Sequence, residues 1–75
     1  MTIHVTDAVN MMKIMHPLTP ELFACFCPCS IHAARSVLTH GAKMGHFQKI
    51  KNSNSYIPNW LADKYPDAVN KHPST

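Results

Sequence analysis

Seventy-five residues make one small module, since a domain of this size buries only about 60% of the surface its unfolded chain exposes. That leaves no room for a second core or a deep catalytic cleft. The net charge is +3, and its distribution tells more than its total. The four acids, Asp7, Glu21, Asp63 and Asp67, all lie outside the forty-one residues from Leu22 to Ala62, whereas Arg35, Lys43, Lys49, Lys51, His32, His40 and His46 all lie inside. A basic middle of this kind is the footprint of a surface facing phosphates, the plainer alternative being a solvated face with no ligand. The longest apolar run, Leu22 to Cys27, is far below the roughly 20 residues a spanning helix needs, so neither a membrane span nor an export signal is expected. Three cysteines, an odd number, then argue for reduced thiols and a cytoplasmic protein, nucleoid-associated in a prokaryotic or viral setting.

At the start of the chain, Ile3 and Val5 alternate with a polar residue, as in a brief edge strand. Thr6 is the expected cap of a first helix over residues 7–15, with Asp7 beside its positive end and Ala8, Val9, Met12 and Met15 at helical spacing. His16-Pro17 stops it. Thr19 caps a second, short helix over 20–26, with Pro20 at its first position and Glu21 in its first turn. Its Leu22, Phe23, Cys25 and Phe26 are enough to bury most of it. Cys27-Pro28-Cys29 forces a turn.

The third helix, 30–44, is the most strongly patterned stretch. At about 100° per residue, Ile31, Ala34, Val37, Leu38, Gly41 and Ala42 fall in one sector, opposite His32, Ser36, Thr39, His40 and Lys43, with Arg35 at the margin. Ser30 supplies the cap oxygen and Gly45 the left-handed exit. Beyond Gly45 the period changes to two. Phe47, Lys49 and Lys51 alternate with Gln48 and Ile50, the Asn52-Ser53-Asn54-Ser55 cluster favours a turn, and Tyr56 and Ile57 return, so a β-hairpin is expected with strands near 46–51 and 55–58. Pro58 ends it and Asn59 is positioned to cap a last helix, Trp60 to Tyr65, closed by Pro66. The domain is thus expected to span 1–66. Residues 67–75 read as a polar tail, disordered beyond Asn70.

The expected core comprises Val9, Met12, Met15, Leu18, Leu22, Phe23, Phe26, Ala34, Val37, Leu38, Phe47, Ile50, Ile57 and Trp60. Met11, Met12, Met15 and Met44 read as core filler, although adjacent Met11 and Met12 cannot both face inward, which leaves one for a dimer contact.

Helix, short helix, turn, longer helix, glycine and hairpin, in that order, give a mainly α domain with a small β-hairpin. From Thr6 to Ile57 this layout resembles the winged helix-turn-helix superfamily, through Ser30 as cap, Ala34, Leu38 and Gly41 on the buried face, and Gly45 followed by Phe47 opening the wing. Many members carry a larger aliphatic residue where Gly41 stands. Either another element approaches the helix closely there, or the helix is locally weaker, since glycine costs about 1 kcal/mol relative to alanine. The resemblance is to an architecture, and it implies a small sequence-specific regulator of transcription that binds double-stranded DNA, acting as a homodimer where paired half-sites are read.

The recognition helix would bring Ser30, His32, Arg35, Ser36, Thr39, His40 and Lys43 to the major groove, and the wing would bring Lys49, Lys51, Asn52 and Asn54 to the flanking backbone and minor groove. The competing expectation is an adaptor or inhibitor that docks the same scaffold on a protein partner. Cys25, Cys27 and Cys29 with His32 nearby form a weak zinc signal, because all four crowd into eight residues and no second CxxC exists. Cys29 precedes a helix N-terminus, where a thiol pKa can fall and suit a redox switch. With no paired carboxylates, no glycine-rich phosphate loop and no shielded Ser/His/Asp set, neither an enzyme nor a cofactor is expected.

Overall fold

A computed structural model describes residues 4–69. The chain forms helices α1 (Val5–Met12), α2 (Pro20–Phe26) and α3 (Ile31–Lys43), strands β1 (Phe47–Lys49) and β2 (Tyr56–Pro58), helix α4 (Asn59–Ala62) and a 3₁₀ turn, Pro66–Ala68. It is a mainly helical domain with a two-stranded antiparallel hairpin.

Local chemistry accounts for most boundaries. Thr19 Oγ1 accepts from the Leu22 amide at 3.1 Å and Ser30 Oγ from the Ala33 amide at 3.1 Å, so both expected caps satisfy orphan donors. α1 starts earlier than expected, because His4 and not Thr6 occupies the cap position. The Asp7 carboxylate reaches back to accept from the His4 amide at 2.9 Å, while the Asp7 amide donates to the His4 carbonyl at 3.0 Å, a reciprocal arrangement that starts the helix two residues sooner. Val5 therefore belongs to this helix and not to a strand, and Ile3 lies outside the described residues. At the other end α1 stops at Met12, short of the expected Met15, where the His16 Nδ1–H donates to the Met12 carbonyl at 3.0 Å.

The hairpin pairs Phe47 with Pro58, Gln48 with Ile57 and Lys49 with Tyr56. Two isolated bridges extend it on opposite sides. Leu18, between α1 and α2, exchanges both backbone hydrogen bonds with Tyr56 at 2.8 Å, and Ile50 bridges Val69 while the Lys51 amide donates to the Ala68 carbonyl at 2.9 Å. Both faces of the hairpin are covered, which is why consecutive Tyr56 and Ile57 are both buried. One face joins the main core of Ala8, Met12, Leu18, Phe23, Ala34, Leu38, Phe47 and Tyr56. The other joins a smaller cluster of Ile57, Ala62 and Val69. Val69 belongs to a segment expected to be a polar tail, yet it is 1% exposed, so the folded unit continues past residue 66. The disorder expected beyond Asn70 falls outside the described residues.

Several expected core residues lie elsewhere. Leu22 and Phe26, four apart on α2, are exposed at 38% and 57%, because a two-turn helix offers one inner stripe and Phe23, with half-buried Ala24, already fills it. Trp60 is half-exposed, its ring edge-on to His16 at 5.2 Å, and Met44 is exposed just after α3. Asn59 is the first residue of α4 and not its cap, and that helix ends at Ala62, short of the expected Tyr65. Pro66 opens the 3₁₀ turn rather than closing α4.

Gly41 is buried and faces Phe47. A Cβ built there would lie 2.6 Å from Phe47 Cε2 and 3.1 Å from Val5 Cγ1. Close approach is therefore the reason for glycine at this position. The ring cannot step aside, being fully buried and stacked edge-to-face on Tyr56 at 5.8 Å. Overpacking of this kind costs about 1–3 kcal/mol, against a helix-propensity gain of about 1 kcal/mol. Gly41→Ala should accordingly lower the urea midpoint, and Gly41→Ala with Phe47→Leu should recover part of the loss. A single variant more stable than the parent would mean that the ring is free to move.

Candidate nucleic-acid interface

The two faces of α3 divide as its sequence pattern requires. Ala34, Leu38 and Gly41 are buried, while His32, Arg35, Ser36, Thr39, His40 and Lys43 are exposed. Arg35, placed at the margin by the helical wheel, joins Ser36, Thr39, His40 and Lys43 around one shallow depression of about 390 Å³. His32 lies outside that depression, one turn nearer the N-terminus. The exposed Ser30 spends its hydroxyl oxygen on the cap. The depression is open and offers a guanidinium, an ammonium, two hydroxyls and an imidazole. That set suits a polyanion with hydrogen-bonding edges and suits no buried small molecule.

Lys49 and Lys51 are both exposed and line a second hollow of about 310 Å³ with Ile50 and Asn52. Strand alternation accounts for only one of them. β1 ends at Lys49, and Lys51 stands in the turn after the Ile50 bridge, where Asn52 takes the left-handed conformation at φ 59°. Ser53 holds the turn closed, its hydroxyl donating to the Ile50 carbonyl at 3.0 Å and accepting from the Ser55 amide at 3.2 Å. Asn52 and Asn54 are left exposed at the tip.

Asn59 is the residue that sequence reasoning placed in the wrong role. Its amide nitrogen donates to the Gly45 and His46 carbonyls at 3.0 and 3.3 Å, and its oxygen accepts from Gln48 Nε2 at 3.1 Å. It thereby latches the start of α4 to the corner between α3 and β1, a corner that turns on Gly45 at φ 86°. A polar residue directly after a strand-ending proline was the available signal, and helix capping was the more common use for it.

Cys25, Cys27 and Cys29 are free thiols. Among the described residues no three His, Cys, Asp or Glu side chains converge well enough to hold a metal. Cys27 Sγ lies 3.6 Å from Met11 Sδ. Its burial pushes the thiol pKa up, and repulsion from the Asp7 carboxylate and from Cys29 adds to the shift. The thiolate fraction of Cys27 near neutral pH is thus lower than that of a free cysteine, and peptide mapping should find it alkylated more slowly than free cysteine at pH 7–8, the gap closing at strongly alkaline pH.

Compared with known proteins, the chain matches no protein-family model, no curated protein and no solved structure.

Loss of the Asn59 amide removes three hydrogen bonds at an exposed corner, each of about 0.5–1.5 kcal/mol at most. Asn59→Ala is expected to destabilise the domain by about 1–2 kcal/mol and to raise amide hydrogen exchange in the hairpin more than in α1 and α2. Uniform exchange changes across the domain would remove the latch.

Proposed function

We propose that the chain is a winged helix-turn-helix domain that binds double-stranded DNA as a sequence-specific regulator, with α3 in the major groove and the Lys49–Asn54 tip on the backbone. The observation that carries this reading is the exposed face of α3, where Arg35, Ser36, Thr39, His40 and Lys43 surround one open depression while the opposite face is buried. Three features of the backbone support it. The chain turns through 116° between α2 and α3 across a four-residue connection, within the range of about 90–120° for helix-turn-helix pairs. Leu18 adds a third strand position to the hairpin, and the hairpin follows α3 directly. Among the described residues no single helix is long and apolar enough to cross a membrane.

In this docking the two basic regions do different work. Cations on a hairpin tip meet phosphates and supply affinity without sequence information, whereas side chains on the middle of an inserted helix reach base edges. Binding to a randomised duplex pool should therefore fall log-linearly with salt through counterion release. Replacing Lys49 and Lys51 together by alanine should lower that slope by about 2 and leave base preference unchanged. Ser36→Ala, like His32→Ala or Lys43→Ala, should cost about 1–3 kcal/mol on the selected site and little on random DNA. Absent binding at low salt would favour the adaptor reading, and a wing variant that altered base preference would invert the docking.

A further inference from the structure

Three sulfur-bearing side chains share one hollow that DNA binding does not use. Met11, Ile14, Met15, Phe26 and Cys27 line an apolar groove of about 210 Å³ between the end of α1 and the end of α2. Cys27 Sγ lies 3.6 Å from Met11 Sδ. The Met15 amide donates to the Met11 carbonyl at 2.7 Å, so the chain keeps one helical turn past the end of α1 and brings Met15 to the same side as Met11.

We propose that Cys27, Met11 and Met15 form a site for one soft monovalent metal ion, copper(I) by class, held by a thiolate and two thioethers. Metal–sulfur bonds of about 2.3 Å, the zinc–thiolate value, hold two sulfurs of one coordination sphere about 3.8 Å apart at the tetrahedral angle and about 4.0 Å apart in a trigonal plane. The Cys27 and Met11 sulfurs already stand close to that separation at 3.6 Å. Met15 is on the groove wall, and an unbranched side chain with three rotatable bonds turns its sulfur toward an ion at little cost.

The donors select the ion. Thiolate and thioether sulfur are soft ligands that suit copper(I), whereas calcium and magnesium take oxygen, and zinc sites are built from thiolate, imidazole and carboxylate. No lining residue brings a side-chain oxygen or an imidazole to the groove. The lack of a converging His, Cys, Asp and Glu set among the described residues does not bear on this site, because two of its three donors are methionines.

Charge points the same way. One thiolate balances one positive charge, so ion and ligands together are neutral, the form that a wall of Ile14 and Phe26 accepts without the desolvation cost of a bare charge. The Asp7 carboxylate and Cys29 oppose a free thiolate at Cys27, and the same negative surroundings favour a cation beside it. Binding exchanges a proton for the metal. The S–H bond of Cys27 breaks, a sulfur–metal bond forms, the proton leaves to solvent and no electron is transferred.

The test needs no DNA, so its outcome is independent of the DNA-binding reading. The full chain, reduced and kept anaerobic, is titrated with copper(I) supplied as its bicinchoninate complex, and in parallel with silver(I) as a redox-inert counterpart. One ion should bind per chain, with the ε-methyl NMR signals of Met11 and Met15 shifting while those of buried Met12 and exposed Met44 stay in place. Met11→Leu and Met15→Leu, which conserve volume, should each weaken copper(I) binding at least about tenfold, the lower end of the loss for even an outer-sphere partner. Cys27→Ser should weaken it further, and Cys25→Ser, at an exposed position off the groove, should leave it intact. Unmoved Met11 and Met15 signals, zinc(II) that competes on equal terms, or binding lost in Cys25→Ser and kept in both leucine variants would overturn the proposal.

Discussion

The contact between Phe47 and Gly41 holds the two halves of this domain in register. Phe47 is the first residue of the hairpin, and its fully buried ring lies directly on the α3 backbone at Gly41, with Val5 of α1 alongside and Tyr56 edge-on behind it. One side chain thus ties the third helix to both strands. No other side chain can replace hydrogen at position 41 without moving the ring, so the spacing between α3 and the hairpin is set by van der Waals contact, which admits far less variation than a surface hydrogen bond. The consequence is functional. α3 and the hairpin tip carry the two basic regions, and whatever surface they present together is only as fixed as this contact.

Backbone pairing reinforces the same junction from outside the core. Leu18 pairs with Tyr56 on one side of the hairpin, and the Ala68–Val69 segment pairs with Ile50 and Lys51 on the other. Pairing on both sides leaves the two short strands little open edge for chance association with another chain. It also gives the hairpin a second hydrophobic face, so that Ile57, Ala62 and Val69 form a small core of their own. A hairpin of three-residue strands would be marginal in isolation. Here it is held from both sides, with Asn59 closing the corner.

The elements were legible in the sequence where a single local signal fixed them. Thr19-Pro20 and Ser30 gave the starts of α2 and α3, and the apolar sector of α3 gave its buried face, because capping and helical periodicity act within one or two turns. The glycine at 41 pointed correctly to a close neighbour as one of two readings, although only the folded structure identifies it as Phe47. Legibility failed where burial depends on which other element is present. Leu22, Phe26 and Trp60 are as apolar as Phe23, and nothing local distinguishes them; the difference for α2 is that α3 covers one of its stripes and no described element covers the other. Val69 failed in the opposite direction, since a lone valine in a polar stretch is buried only because Ile50 lies across from it. The arginine at the wheel's margin lies on the exposed face of α3, and both hairpin lysines are exposed, although strand alternation accounts for Lys49 alone.

Those failures are themselves informative about how the chain distributes its hydrophobicity. A domain this small cannot enclose every apolar side chain it carries. Leu22, Phe26 and Ile14 stand exposed on α2 and just after α1, Met44, Trp60 and Tyr65 elsewhere, while polar and charged residues line the α3 face between Arg35 and Lys43. α2 buries one stripe against α3, and its other stripe, which carries Leu22 and Phe26, is reached by no element among the described residues. Two surfaces of opposite character on neighbouring helices are what a chain needs if one is to meet a charged, hydrated partner and the other a dry one, because each partner is then excluded from the wrong surface by desolvation. A cationic face repels a second copy of the same chain, and an apolar groove gives phosphate nothing in exchange for its water. The separation of these surfaces, more than the character of either, keeps the polar face of α3 and the apolar edge of α2 from competing for one and the same partner.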